Sequence, residues 1–179
     1  MKNFFLDTEF IANAETCSVK PLSIALVDEP GNSLYIVISD APRHEGDEFV
    51  QEHVIPYLDI APFPGYEMQD QIQVHLDKET GTDHTFMSTN RKTAGALIKF
   101  WVDSFQQQPR FTAWYASYDW VVFCDLLGGF INLPAGWPQY VNDWRWTRTR
   151  LQEYKGSLTV PEHHCLRDAF QLQQSVLGI

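Results

Sequence analysis

Apolar positions recur with two different periods along this chain, and the switches between them divide it into elements. Residues 2–9 (KNFFLDTE) are rich in aromatic and β-favouring side chains and read as a strand, with Phe5, Asp7 and Glu9 on one face by the period of two. Apolar runs at 19–27 and 33–38 flank the turn residues Glu29, Pro30, Gly31 and Asn32, a strand–turn–strand signature. The spacing therefore predicts three consecutive antiparallel strands. A short helix is predicted over 46–55, where Val50, Val54, Tyr57 and Leu58 keep helical spacing until Pro56 interferes. Residues 60–88 are poorly patterned and contain Pro62, Pro64, Gly65 and Gly81, so they read as a long loop or insertion.

Ser88 or Thr89 is predicted to cap an amphipathic helix over 90–106, with Ala94, Leu97, Ile98, Trp101, Val102 and Phe105 on one stripe. RFTAWYA (110–116) reads as a buried strand, and 118–129 as a helix that stops at a double glycine. Further helices are predicted over 144–155 and 164–177. Strands first, then a helix–strand–helix unit, is an α/β order with a mixed sheet flanked by helices.

The length of 179 residues and an apolar content of 44% suit a single domain over 1–179 with a real core. Charged residues at 20% and aromatics at 14% exclude disorder and coiled coil as descriptions of the whole. The net charge of −10 excludes a protein that coats nucleic acid by bulk basicity. Its distribution is uneven: residues 40–85 hold eleven acidic side chains against Arg43 and Lys78, whereas 88–168 hold nine basic against seven acidic. An anionic substrate is drawn to the second half. Cys17, Cys124 and Cys165 are odd in number and lack CxxC spacing, which gives neither a disulfide framework nor a structural zinc site and suits a cytoplasmic protein. Asp7 and Glu9 interrupt the N-terminus before a signal-type run forms, and no apolar stretch approaches the ~20 residues of a membrane span. Six tryptophans and the long middle segment leave room for a homodimer.

Four carboxylates sit in unusual settings. Asp7 and Glu9 lie two apart near the end of an apolar strand, so both leave the same face, a costly arrangement unless cations sit between them. Asp119 begins an apolar helix after the 110–116 strand, where an isolated acid would serve as a cap or dipole partner. Asp168 lies in the first turns of the last helix, five residues after His163. His75, Asp77, Asp83 and His84 read as scattered polar loop residues, not as a metal cluster.

FFLDTEFI (4–11), YASYDWVVFCDLLG (115–128) and HHCLRDA (163–169) resemble, in order, the three motifs of the DEDDh 3′–5′ exonucleases, which have an RNase H-like fold. The DTEFI opening and the YDW of the second motif are most similar to a small bacterial and phage exoribonuclease branch. The resemblance implies that Asp7, Glu9, Asp119 and Asp168 bind two divalent cations, Mg²⁺ or Mn²⁺, whose hardness suits carboxylate oxygens. It also implies that His163 is the general base, with His164 as an exposed or supporting neighbour, and that an RNA 3′ end is hydrolysed to nucleoside 5′-monophosphates. The same motifs fit a DNA 3′ exonuclease of the proofreading or repair kind. A non-catalytic nucleic-acid or protein-binding module is the reading from a different class.

An exonuclease that ignores base identity grips its terminal nucleotide by stacking. Phe10, beside the metal-binding strand end, and Trp120, beside Asp119, are the candidate walls. The backbone amides of Thr8 and Phe10 are candidate contacts to sugar or phosphate, as the resemblance implies. Arg145 and Arg148, interleaved with Trp144 and Trp146 on the helix predicted there, are the candidate track for the rest of the strand.

Overall fold

Alternation at the N-terminus produces a twelve-residue strand, β1 (Lys2–Asn13), whose two faces feed two separate cores. It is followed by β2 (Ser18–Asp28), β3 (Ser33–Ile38), α1 (Glu48–His53), α2 (Ile55–Leu58), β4 (Gln73–Asp77), β5 (Thr82–Thr89), α3 (Arg91–Ser104), β6 (Pro109–Ala113), α4 (Ala116–Leu126), β7 (Asn142–Asp143) and α5 (Cys165–Leu177). This computed structural model describes residues 1–13, 15–16, 18–148, 150–158 and 160–179. Among the described residues no helix is long and apolar enough to cross a membrane.

The strands form one mixed seven-stranded sheet in the order β4-β5-β3-β2-β1-β6-β7. β1, β2 and β3 are antiparallel neighbours, as the sequence predicts, and β6 and β7 extend the β1 side in parallel. Even-numbered β1 residues Phe4 and Leu6 pack with Ile98 and Val102 of α3 and Val122 and Phe123 of α4. Odd-numbered Phe5 packs on the other face with Val50 and Val54, Leu58, and Leu166, Ala169 and Leu172 of α5. Gly95 lets α3 press against the end of α4: a Cβ there would lie 2.1 Å from the Leu126 carbonyl oxygen.

Three predicted elements differ. Residues 73–89 are not loop but the β4–β5 hairpin, joined at a turn where Gly81 has φ of +72°. Because β4 is an edge strand with polar residues facing partly inward, its alternation runs opposite to the usual apolar-in pattern. The α3 cap is Asn90, whose side chain accepts from the Thr93 N–H, while Ser88 and Thr89 belong to β5. Residues 144–155 are not a helix: a 3₁₀ turn at Trp144–Trp146 gives way to irregular chain, Thr149 lying outside the described residues. Cys17 also lies outside the described residues, and Cys124 and Cys165 are buried free thiols.

The β2–β3 turn is organised by one buried carboxylate. Asp28, fully buried, accepts from the Gly31 and Asn32 N–H groups at 2.9 and 2.7 Å and from Asn32 Nδ2 at 2.8 Å. Its other partner is Lys2 Nζ at 2.8 Å, which ties the start of β1 to the end of β2. Removing it leaves a partly buried ammonium and three donors without their acceptor, so Asp28→Ala should cost about 3 kcal/mol, read as a lower urea midpoint at unchanged slope.

Candidate functional site

The parity of β1 decides how the acidic residues are distributed. Asp7 and Glu9 follow Phe5 onto the α5 side, where Asp168, in the first turn of that helix, meets them. One carboxylate oxygen from each of Asp7, Glu9 and Asp168 lies within 4.8 Å of the other two. Thr8, between them, faces the α4 side. Its N–H and hydroxyl both donate to Asp119 Oδ1, at 3.1 and 2.7 Å. The four predicted ligands therefore form a group of three and a fourth set across the strand, held by Thr8 and left with Oδ2 to offer.

Electrostatics at this point are strained. Burial pushes the Asp7 carboxyl well above the usual carboxylate range, and Asp119, Asp168 and Glu9 push it further. Glu9 is raised by burial and then by Asp168 and Asp119. Burial raises Asp119 to about 7 against the lowering effect of the two Thr8 hydrogen bonds, with Asp143 adding to the rise. Asp168 is raised by burial to about 6, opposed by Arg167 and by the His163 N–H that donates to it. Among the described residues no lysine or arginine forms an ion pair with any of the four. Convergent, all-oxygen, uncompensated donors fit a hard divalent cation.

These residues line a cleft of about 530 Å³ together with Phe10, Trp114, Tyr115, Tyr118 and His163. His163 is exposed and holds φ of +61°, a strained backbone for a residue with a Cβ, and its ring meets Phe49 of α1 edge-on at 5.1 Å. His164 is not exposed: it is buried against Tyr35 with ring centroids 4.6 Å apart, neither ring nitrogen has a partner, and burial lowers it to about 4. Of the two histidines, only His163 faces the cleft.

The remaining predicted contacts divide. Phe10 lines the cleft and stacks on Tyr118, 5.7 Å between centroids and 18° between planes. Trp120 does not line it; the indole packs into the core against Phe123 at 5.2 Å and Phe111 at 5.7 Å. Thr8 lines the cleft, but its amide and hydroxyl are directed to Asp119 and not to a ligand. Arg145 lies over the Tyr115 ring at 4.3 Å, at the cleft rim, while Arg148 is exposed beyond the 3₁₀ turn and shares no helical face with it. His84 is engaged through both ring nitrogens by Ser33 and Thr82, which leaves no cation site there.

Trp114, Tyr115 and Tyr118 are aromatic cleft residues that the sequence reading passed over. Tyr118 could have been marked by its place beside Asp119 at the start of the predicted helix, whereas Tyr115, non-helical just before α4, carried no such signal. A larger groove of about 720 Å³ runs by the start of α3, where Arg91 is paired with Asp125 and Lys99 with Asp103.

No protein-family model matches the chain, and no curated protein matches it.

The raised carboxyls fix the sign of a pH dependence. In metal-free protein Asp119 and Asp168 keep protons that the unfolded chain releases near the ordinary aspartate value of 3.8, so the native state binds more protons and stability falls as pH rises toward 6 to 7. Urea unfolding in EDTA should show a lower midpoint at about pH 8 than at about pH 5. Millimolar Mg²⁺ should recover most of that loss at the higher pH.

Proposed function

We propose that this protein is a metal-dependent 3′–5′ exonuclease of RNase H-like fold that hydrolyses RNA from its 3′ end to nucleoside 5′-monophosphates. The observation that carries the reading is the convergence of Asp7, Glu9 and Asp168 within 4.8 Å, uncompensated, on the floor of an open aromatic cleft. A structural role gives no reason to gather like charges whose ionisation burial already opposes. The antiparallel β1–β2–β3 unit, extended beside β1 by parallel strands, is compatible with the RNase H-like arrangement. RNA is favoured by the resemblance of the DTEFI opening to the exoribonuclease branch. The buried free thiols suit a reducing, cytoplasmic setting.

Asp7, Glu9 and Asp168 would hold one cation, and Asp119, through the oxygen that Thr8 leaves free, the second. When bound, such ions lower the pKa of an attacking water and stabilise the leaving 3′ oxygen. The chain's own residues do the rest. Phe10 and Tyr118 present a stacked aromatic wall that grips a terminal base without reading its edge, worth about 1–3 kcal/mol per base. The Tyr115–Arg145 pair at the rim offers a ring for the next base and a cation for the strand's phosphates. His163, exposed in the cleft five residues before Asp168, is placed to take a proton from the attacking water at a ring nitrogen. His164, buried and neutral, cannot substitute for it.

A 5′-labelled single-stranded RNA should shorten as a ladder from its 3′ end with Mg²⁺ or Mn²⁺, and not in EDTA or with Asp7→Asn. The matching DNA, run in parallel, measures the preference for the 2′-hydroxyl. His163→Ala should lower kcat by about 100-fold or more with KM little changed. If neither polymer is cut by folded protein that still binds RNA, the non-catalytic module is the correct reading. Arg145→Ala should weaken strand binding and reduce the slope of log K against log salt by about 1, measured by fluorescence anisotropy.

A further inference from the structure

His163 lines the cleft, yet among the described residues no hydrogen bond reaches its ring, whereas the ring of His84 is engaged through both nitrogens. A histidine that takes a proton from water must be held, because transfer needs a ring nitrogen within hydrogen-bond reach and a partner that orients the base. What meets the His163 ring is aromatic. Phe49 crosses it at 78° with 5.1 Å between centroids, and His53 lies 6.2 Å away. Phe49 and His53 stand four positions apart on α1 and meet each other at 4.9 Å, so the three rings close a cluster. Neither core uses the Phe49 ring, which stays half exposed and does not line the cleft. Its helix is nonetheless fixed. Asp47 caps α1 by accepting from the Val50 N–H at 2.9 Å, and Val50 and Val54 enter the core that also receives Cys165 and Leu166 of α5. One core therefore seats both partners, the helix that carries Phe49 and the helix that begins two residues after His163.

We propose, resting on the reading of His163 as the general base, that Phe49 is a positioning residue whose ring holds the His163 imidazole in the cleft. The backbone shows why a hold is needed. The φ of +61° at His163 sets where its side chain leaves the chain, but rotation about the side-chain torsions is left to packing. An edge-to-face contact supplies that packing and keeps both ring nitrogens free for water and ligand. A hydrogen-bonding partner would occupy one of them. Because Phe49 lies outside the cleft lining, it acts through His163 and not on a bound nucleotide.

Steady-state hydrolysis of single-stranded RNA, together with NMR of the metal-free chain, tests this. Phe49→Leu keeps an apolar side chain on α1 and should lower kcat about fivefold with KM within about twofold. Phe49→Tyr, which restores the ring, should return kcat to within about twofold of the unsubstituted chain. In the His163→Ala background Phe49→Leu should change kcat by less than about 1.5-fold, because the group it positions is gone. The imidazole C–H resonances of His163, assigned by their loss in His163→Ala, should shift in Phe49→Leu whether or not RNA is present. Resonances that stay in place, an unchanged kcat, a raised KM with kcat retained, or an equal loss of kcat with and without His163 would each overturn the proposal while leaving the exonuclease reading intact. An unsubstituted chain that cuts no RNA overturns the exonuclease reading itself, and this proposal with it.

Discussion

Mutual repulsion among carboxylates is the constraint around which this molecule is arranged. Asp7, Glu9 and Asp168 approach within 4.8 Å in a place where burial already disfavours their ionised forms. Holding them there takes rigid support on each side. β1 supplies it as a central strand, paired to β2 along nearly its whole length and to β6 at its start. α5 supplies the third group from a helix seated by Cys165, Leu166, Ala169 and Leu172, all buried. The turn at Asp28 anchors both: its carboxylate binds Lys2 of β1, and its carbonyl accepts from Gln173 of α5 at 2.9 Å. The support and the repulsion meet on the same two elements.

The sheet also sorts the charge. The acidic stretch of the chain, 40–85, runs from the end of β3 through α1 and α2 to the β4–β5 edge. β7 and Arg145, on the cleft rim, lie at the opposite edge. α1, which carries Glu48 and Glu52, is the part of the acidic stretch that reaches the cleft, through the contact of Phe49 with His163.

Much of this was legible in the letters, and the exceptions have physical causes. The three antiparallel strands, the α3 stripe and the shared face of Asp7 and Glu9 follow from periodicity, because each element has one face to bury. Asp168 is joined to them only by the resemblance of HHCLRDA. The β4–β5 hairpin was hidden because an edge strand that leaves Val74 and Leu76 in water looks, by pattern, like no strand at all. The segment 144–155 carries aromatics and arginines at helical spacing, yet Asp143 caps only one 3₁₀ turn through the Arg145 N–H. Trp120 and Tyr118 stand two positions apart on α4, and hydrophobicity favours the tryptophan as a wall. The structure packs a partly buried Trp120 beside Phe123 and sends Tyr118 to Phe10. Thr8 could be placed on the α4 side by parity, but its double hydrogen bond to a residue 111 positions away is a tertiary fact.

The strict parity of β1 bears on which genetic changes this chain can absorb. β1 behaves as a ruler graduated in pairs of residues: Asp7 and Glu9 meet Asp168, while Thr8 between them binds Asp119. Losing a single codon between Asp7 and Glu9 would send the second carboxylate to the wrong side of the sheet while leaving every other letter in place. The turn between β4 and β5, at Lys78–Gly81, ends in a glycine beside which a Cβ would meet nothing within 4 Å, and it can lengthen without moving a buried atom. Descendants of this sequence should therefore differ freely in the length of that hairpin and share an unbroken frame through the first strand.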